Sequence, residues 1–325
     1  MHRLIAFFVS TTLLVLLYQL IDFSTLTDAM RKADPTLLAT GIVAVIPLTV
    51  GTAWRFSILT GQARVGIIKS IELILIASTL NLFLPSKMGD IAKAAVLVDR
   101  DGMNGKLALS VCLFEKTLDL ASLVLLGVIA LFYVAGDSPL LGVLAALTSL
   151  LLLLLMAIIL PVRLLPSAAI LAGKVLNGRI AGLLKRFSET WQSVVVWFWS
   201  DWRRAIGVLL LSIAIWAGHL MQFWLFALAI GAIIPILDNM AFATLGILAG
   251  LLPFTFAGVG TRDMALVHFY GAYLTPGEGA LLGILATLRY LIPAVAGLPF
   301  VGQSIRRFGA SRSVMANRDL DCRID

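Results

Sequence analysis

The stretch at residues 71–98, IELILIASTLNLFLPSKMGDIAKAAVLV, decides the fold because it is apolar at both ends and interrupted in the middle. Pro85 and Gly89 interrupt it, with charged residues beside them. A helix needs about 20 apolar residues to cross the hydrocarbon core of a bilayer, so neither half crosses alone. Proline and glycine also end helices. We therefore predict a re-entrant helical hairpin over residues 70–99, with its tip at membrane depth.

A second stretch repeats this plan further along the chain. The apolar run 242–252 ends at Pro253, and a glycine-rich turn leads to another short apolar run, 264–274. We predict a second hairpin over residues 240–274. If the two hairpins enter from opposite sides, they form a faint inverted-topology repeat. Transporters built in this way place their sites near the midplane, between broken helices.

Composition places the rest of the chain in the membrane. Of 325 residues, 60% are hydrophobic and 13% are charged, and the mean hydropathy is +1.00. Soluble domains are about half apolar and about a quarter charged. We predict an all-α polytopic membrane protein, a single membrane domain over residues 1–325, with about six full spans besides the hairpins. The predicted spans are residues 4–21, 37–59, 107–134, 140–160, 205–230 and 280–302.

Basic residues set the orientation. With the N-terminus in the cytoplasm and each hairpin returning to its own side, the cytoplasmic segments carry seventeen Lys and Arg residues and the outer segments carry two. This is a strong positive-inside bias, so we expect cytoplasmic termini, a cytoplasmic basic amphipathic segment at 163–204 and a cytoplasmic tail at 303–325. The amphipathic segment is either a platform for anionic lipid or a plain topological anchor. The same bias accounts for the net charge of +7 without nucleic-acid binding, which needs a clustered basic surface.

Ionisable residues within or beside the apolar segments carry the chemistry. A charged group at the bilayer centre costs about 2.5–3.5 kcal/mol on insertion scales, so these residues must pair, protonate or line a hydrated cavity. Five are basic and four are acidic, and the spare positive charge suits an anionic headgroup. They are Lys87, Asp90, Lys93, Glu115, Lys116, Asp119, Arg262, Asp263 and Arg289. The spacing of cysteine and histidine predicts neither a metal site nor a cofactor.

Glu115 and Asp119 lie one helical turn apart and share a face. Two carboxylates placed in this way repel each other unless a cation lies between them or one is protonated. We expect Arg289, in the span after the second hairpin, to pair with them near the axis that relates the two halves. Such a pair either takes part in transport or only holds two helices together. Arg55 follows Trp54 and is expected to anchor its span at the membrane interface.

The hairpin tips combine sharp turns with charge. Their glycines permit close backbone approach, and exposed N–H groups beside a basic residue bind phosphate. Asp90 and Asp263 either contact the substrate or cap the helix that follows, and capping is the favoured role. The glycines and basic residues concerned are Gly89 with Lys87 in the first tip, and Gly258 and Gly260 with Arg262 in the second.

Three runs hold most of these charges: LPSKMGDIAK at 84–93, EKTLD at 115–119 and GVGTRD at 258–263, with Arg289 in the next helix. Together they resemble the lysylphosphatidylglycerol synthase transmembrane-region family, also described as flippase-like proteins. The resemblance implies a lipid-translocating domain of the bacterial plasma membrane that binds a lipid with an anionic or lipid-linked headgroup. It also implies an enzyme of envelope-lipid synthesis as a partner. No soluble synthase domain follows here, so we do not expect the chain to aminoacylate lipid.

Three functions stay open at this point. The first is a lipid flippase, in which Lys93 and the basic residues of the tips attract a phosphate and Glu115, Asp119 and Arg289 form a coupled ion network. The second is a membrane-embedded enzyme on a lipid-linked substrate, for which Asp90, Glu115 or Asp119 would have to serve as the base. The third is a non-transporting partner in envelope-lipid synthesis. We take the flippase as the working prediction and do not expect an enzyme.

Overall fold

A computed structural model describes residues 23–61, 65–84, 88–136, 138–162, 167, 178–252 and 259–321, of which residues 100, 101, 179 and 303–321 are described by their backbone alone. None of these residues forms a strand, which confirms the all-α prediction. The helices are α1 (Phe23–Lys32), α2 (Pro35–Val43), α3 (Val45–Leu59), α4 (Ile67–Phe83), α5 (Gly89–Asp101), α6 (Gly105–Val134), α7 (Pro139–Ile159), α8 (Gly178–Trp199), α9 (Trp202–Ala229), α10 (Ile236–Ala249), α11 (Thr261–Phe269) and α12 (Pro276–Asp321), with a 3-10 turn at Tyr270–Ala272 before α12.

Five helical segments of the described chain are long and apolar enough to cross a membrane. They match five of the six predicted spans, and together they confirm a polytopic membrane protein. The sixth predicted span, residues 4–21, lies outside the described residues. The five are Pro35–Leu59 (α2 and α3 together), Gly105–Val134, Pro139–Ile159, Trp202–Ala229 and Pro276–Gly302.

Both predicted breaks are present as pairs of short helices. In hairpin 1, α4 has 17 residues and α5 has 13. The start of α5 lies against α4, where the Gly89 N–H donates to Asn81 Oδ1 at 2.9 Å and a Cβ at Gly89 would lie 2.4 Å from the Ala77 carbonyl oxygen. In hairpin 2, α10 has 14 residues and α11 has 9. Residues 85–87 and 253–258 lie outside the described residues.

The two hairpins enter the bundle from opposite ends. One apolar cluster contains both outer ends of hairpin 1, and a second cluster contains both outer ends of hairpin 2. Helix α6 runs from the first cluster to the second, and α7 runs back. Members that mark the first cluster are Val65, Met103, Cys112, Ile159 and Ala205. Members that mark the second are Leu131, Ala145, Ile230, Phe242 and Leu274.

Each hairpin packs on the span that follows the other hairpin. Helix α12 lies on α4 through Gly297, where an added Cβ would be 2.2 Å from the Leu75 carbonyl oxygen. Helix α6 lies on α10 through Gly127, where an added Cβ would be 2.3 Å from Thr244 Cγ2. These glycines follow Arg289 and Asp119 by the same number of residues in their helices. The reciprocal packing supports the inverted repeat that the sequence suggested.

Helix α8 lies across one end of the bundle and is two-faced. Trp191 and Phe198 are buried against the core, whereas Lys185 and Arg186 are exposed. The indole N–H groups of Trp191 and Trp199 donate to the carbonyls of Ile158 and Ile159, at 3.2 and 2.9 Å. These carbonyls end α7 and have no partner within their own helix, so the two indoles act as its cap. Of the predicted amphipathic segment 163–204, residues 163–166 and 168–177 lie outside the described residues.

We expect Gly297→Ala to destabilise the protein by about 1–3 kcal/mol, because the added methyl group overpacks the contact with α4. Gly207→Ala in α9 is the matched control, since nothing lies within 4 Å of a Cβ there. That control should be neutral or stabilising, as alanine favours a helix over glycine by roughly 0.5–1 kcal/mol. Melting temperatures in detergent, followed by size-exclusion chromatography after heating, compare the two. Equal melting of both variants would contradict the close packing of α12 on α4.

Candidate functional site

Glu115, in the middle of α6, is the centre of a buried network of charges. Its Oε1 accepts from Arg55 of α3 at 3.3 Å, and its Oε2 accepts from Lys93 of α5 at 2.5 Å. All three side chains are fully buried. A buried carboxylate is tolerable only when it is paired and hydrogen-bonded. One carboxylate of α6 therefore ties together three helices, including the second helix of hairpin 1.

Asp119 and Asp90 extend this network toward the centre of the molecule. Asp119 accepts from Arg55 at 2.7 Å and from Lys116 at 3.0 Å, and the Trp216 indole donates to it at 3.1 Å. Asp90, at the start of α5, lies 3.3 Å from Lys116 and 3.7 Å from Lys93. Three cations thus face three carboxylates, and the network has no net charge when all are ionised.

Two expectations about arginines are wrong. Arg55 does not anchor its span at the membrane interface, because it is fully buried and pairs with Glu115 and Asp119. Its neighbour Trp54 is 54% exposed and occupies the outward face instead. Arg289 does not pair with Glu115 or Asp119. The cation that these two carboxylates need comes from α3, and sequence spacing gave no direct sign of it.

A second, smaller pair of charges holds hairpin 2. The Arg262 guanidinium donates to Asp263 Oδ1 from Nη2 at 2.7 Å and from Nε at 3.0 Å. It also donates to Thr287 Oγ1 at 2.6 Å, which ties α11 to α12. Asp263 Oδ2 accepts from the Gly260 N–H at 3.0 Å, so Asp263 caps its helix. Gly260 has a φ of +99°, a conformation that glycine adopts without strain.

Asp90 behaves differently from its counterpart in hairpin 2. It accepts from the Asn81 side-chain amide at 3.3 Å and forms ion pairs with two lysines. Its side chain makes no capping hydrogen bond to the backbone of α5 among the described residues. The start of α5 is held by Asn81 instead. The favoured capping role therefore fits Asp263, whereas Asp90 belongs to the ion network.

Arg289 is a buried cation with neutral partners. It is 4% exposed. Its Nη1 donates to Gln222 Oε1 at 3.3 Å and its Nη2 donates to the Tyr290 hydroxyl at 2.7 Å. The guanidinium carbon lies 4.7 Å from the ring centroids of both Phe223 and Tyr290. Within the described part of the chain no carboxylate forms an ion pair with it, and its Nε has no hydrogen-bond partner.

A cavity of about 360 Å³ lies between the hairpins, which we name the central cavity. Ligand pockets of about 300–1,000 Å³, mostly apolar with a few convergent polar groups, are typical of small-molecule sites. Residues of both hairpin tips and of the spans α3, α6, α9 and α12 line it. Its polar lining consists of Ser78, Asn81, Asp90, Lys116, Asp119, Trp216, His219, Gln222, Arg262, Thr287, Arg289 and Tyr290, with Thr49 and Thr52 of α3.

The structure sorts the predicted site residues into three groups. Asp90, Lys116, Asp119, Arg262 and Arg289 line the central cavity. The residues that support this wall from behind are Gly89, Lys93, Glu115, Gly260 and Asp263. The residues outside the described part of the chain are Lys87 and Gly258. Lys93 is withdrawn from any ligand by its pair with Glu115.

Sequence reasoning did not single out Trp216, Gln222 or Tyr290 of the wall, and a histidine such as His219 in an apolar segment is more often a core residue than a ligand. Their helices are apolar, and single polar or aromatic residues in such helices carry little signal. For Arg55, behind the wall, one signal was available: Glu115 and Asp119 outnumber Lys116 beside them, so a cation from another helix was required.

The fold and the site define a polytopic membrane protein with two broken-helix hairpins around a charged internal cavity. The chain belongs to the lysylphosphatidylglycerol synthase transmembrane-region family, whose model matches residues 3–297. It is similar to a UPF0104 membrane protein of Methanothermobacter thermautotrophicus, with 25% identity over 308 residues that cover 86% of this chain and 89% of that relative. No solved structure matches the chain.

We expect Glu115→Ala to destabilise the protein by about 3–5 kcal/mol, because removal of one partner leaves buried cations uncompensated. Addition of Lys93→Met should recover part of the loss by restoring charge balance. Glu189→Ala, on the exposed face of α8, should change stability by no more than about 0.5 kcal/mol. Melting temperatures in detergent measure all three. If Glu115→Ala melts like Glu189→Ala, the ion network does not hold these helices together.

Proposed function

We propose that this protein is a membrane lipid transporter or flippase that moves the anionic headgroup of a phospholipid or lipid-linked molecule through the central cavity. The observation that carries the proposal is Arg289, a buried cation on the cavity wall with no carboxylate partner among the described residues. The other charges near the cavity are matched: three against three in the network, and Arg262 against Asp263. One positive charge is left for a ligand.

The chemistry of Arg289 favours a phosphate. A guanidinium presents a planar fork of donors that matches phosphate or carboxylate oxygens in pairs. An uncompensated buried charge destabilises a fold by several kcal/mol, and an anion supplied by the substrate would relieve this. Lys116, whose side chain is 37% exposed, lines the same cavity. It offers a second cation to an anion of the substrate.

Transport is favoured over an embedded enzyme by the state of the carboxylates. Asp90 and Asp119 line the central cavity, but cations hold each of them. A general base needs a carboxylate that is free to accept a proton in reach of the substrate. The reciprocal packing of the hairpins also favours transport, since alternating access in inverted-repeat transporters comes from one repeat moving against the other. A partner enzyme of envelope-lipid synthesis stays a prediction.

We expect Arg289→Gln to lower the rate of lipid translocation about tenfold or more, since a hydrogen bond to a charged group contributes about 1.5–3 kcal/mol. The assay uses vesicles with phosphatidylglycerol that carries a nitrobenzoxadiazole group on one acyl chain, quenched from outside by dithionite. Wild-type protein should expose the protected inner-leaflet signal. Arg289→Lys should be intermediate, because it keeps the charge and loses the fork.

The matched control is Arg203→Gln, which removes an exposed cation at the start of α9 and should leave the rate unchanged. Melting temperatures confirm that all variants are folded. If wild-type vesicles keep the inner-leaflet signal as protein-free vesicles do, translocation of this lipid is refuted. If wild type is active and Arg289→Gln equals it, the role of Arg289 is refuted.

We further propose that both termini lie in the cytoplasm, on the basis of the distribution of basic residues. In a Cys112→Ser background, native Cys322 in the tail should react with a membrane-impermeant maleimide only after the cells are opened. Ser138→Cys, added to a Cys112→Ser, Cys322→Ser background, should place a thiol at the exposed start of α7 and react in intact cells. The reverse pattern would contradict this orientation.

A further inference from the structure

A second cavity, of about 300 Å³, lies beside the central cavity between the two hairpins. We name it the side cavity. It is bounded by the start of α5, one face of α6 and the end of α10. Four of its residues, Asp90, Lys116, Asp119 and Trp216, also line the central cavity. We name these four the shared wall.

Apart from the shared wall, the lining of the side cavity is apolar. Its members come from both hairpins and from α6. They are Ile91, Cys112, Leu113, Leu120, Leu123, Ile247 and Leu251. Such a lining offers no hydrogen bonds to water, and water needs two to four polar partners to stay in a cavity. The side cavity therefore suits a hydrocarbon and not a second headgroup.

The rim of the side cavity faces outward. Ile91 of hairpin 1 is 42% exposed and Leu251, just after α10, is 39% exposed. In a membrane, such a rim would contact the hydrocarbon chains of lipids. Side chains that line an unfilled apolar space lose dispersion contacts on one side, so a chain that enters from the rim would restore them.

The shared wall places this apolar space next to charge. Lys116 reaches from α6 to both Asp90 and Asp119, at 3.3 and 3.0 Å. One side of the wall faces Arg289 in the central cavity, and the other side faces leucine and isoleucine. A lipid is polar at one end and apolar at the other, so the two cavities match the two ends of one molecule.

We propose that the side cavity binds one hydrocarbon chain of a lipid whose anionic headgroup occupies the central cavity, with the shared wall at the junction between headgroup and chain. The functional consequence rests on the proposed lipid transport. The site itself does not, because occupancy can be measured without transport. Lys116, on the shared wall, then lies between the bound headgroup and the bound chain.

The test is photochemical cross-linking in nanodiscs. Phosphatidylglycerol with a diazirine in the middle of one acyl chain is the probe, and cross-linked residues are mapped by mass spectrometry. The cross-links should be concentrated on residues 113–123 and 247–251. Unlabelled phosphatidylglycerol should compete with them. Leu120→Trp, which fills the side cavity, should reduce them at least several-fold. Ile129→Trp on the same helix is the control, because Ile129 is 56% exposed and lies outside both cavities.

The outcomes separate the site from the transport function. Cross-links spread evenly over exposed apolar positions such as Ile129, or unchanged by Leu120→Trp, would overturn the proposal. Concentrated cross-links in a wild-type protein that translocates nothing would support the chain site and count against the proposed function. If both hold, Leu120→Trp should also slow translocation while Ile129→Trp should not. Melting temperatures confirm that Leu120→Trp is folded.

Discussion

The neutralisation of Glu115 by Arg55 and Lys93 is the interaction on which the rest of this structure depends. It is fully buried, and it joins the span α3, the second helix of hairpin 1 and the span α6. A bilayer supplies no water to stabilise these charges, so the carboxylate requires its cations and each cation requires a carboxylate. Neither helix of hairpin 1 is long enough to be held in place by crossing the membrane. Its second helix is instead fixed by charge, and that brings Asp90 to the wall of the central cavity.

The two halves of the molecule share a backbone plan but use charge differently. Each half has a hairpin and a following span, and each span carries a close-packing glycine at the same distance from an ionisable residue, Gly127 after Asp119 and Gly297 after Arg289. In the first half the ionisable residue is a carboxylate surrounded by cations. In the second half it is a cation with neutral partners. This asymmetry fits the proposed function better than a purely structural role. A site that only held helices together would pair each of its charges with an opposite charge of its own.

The sequence predicted where both apolar stretches break into short helices, because that signal is local. Proline and glycine interrupt runs that are too short to span, and the positive-inside bias separates their entry sides. It also predicted that Glu115 and Asp119 need a cation. The identity of that cation depends on which helices are neighbours, and that information is not local. Arg55 lies near the end of its span, where arginine commonly reaches the interface, yet it is fully buried while Trp54 beside it is exposed. Lys87 and Gly258 lie outside the described residues, so their role in phosphate binding stays a prediction.

The division between matched and unmatched charge explains how one cavity can be both stable and receptive. If every charge on the wall were free, desolvation would oppose folding. If every charge were paired, an anion would gain little by entering. Here the network is neutral, with Arg55, Lys93 and Glu115 buried behind the wall and Lys116 shared by Asp90 and Asp119 at its surface. Arg289 has no carboxylate partner among the described residues, and in the proposed function it is free to pair with a ligand. A ligand anion at Arg289 would not disturb the pairs that hold the helices, because the arginine takes no part in them. In the proposed function, binding and stability are therefore carried by separate charges, so an anion can leave without breaking the ion pairs that hold the helices together.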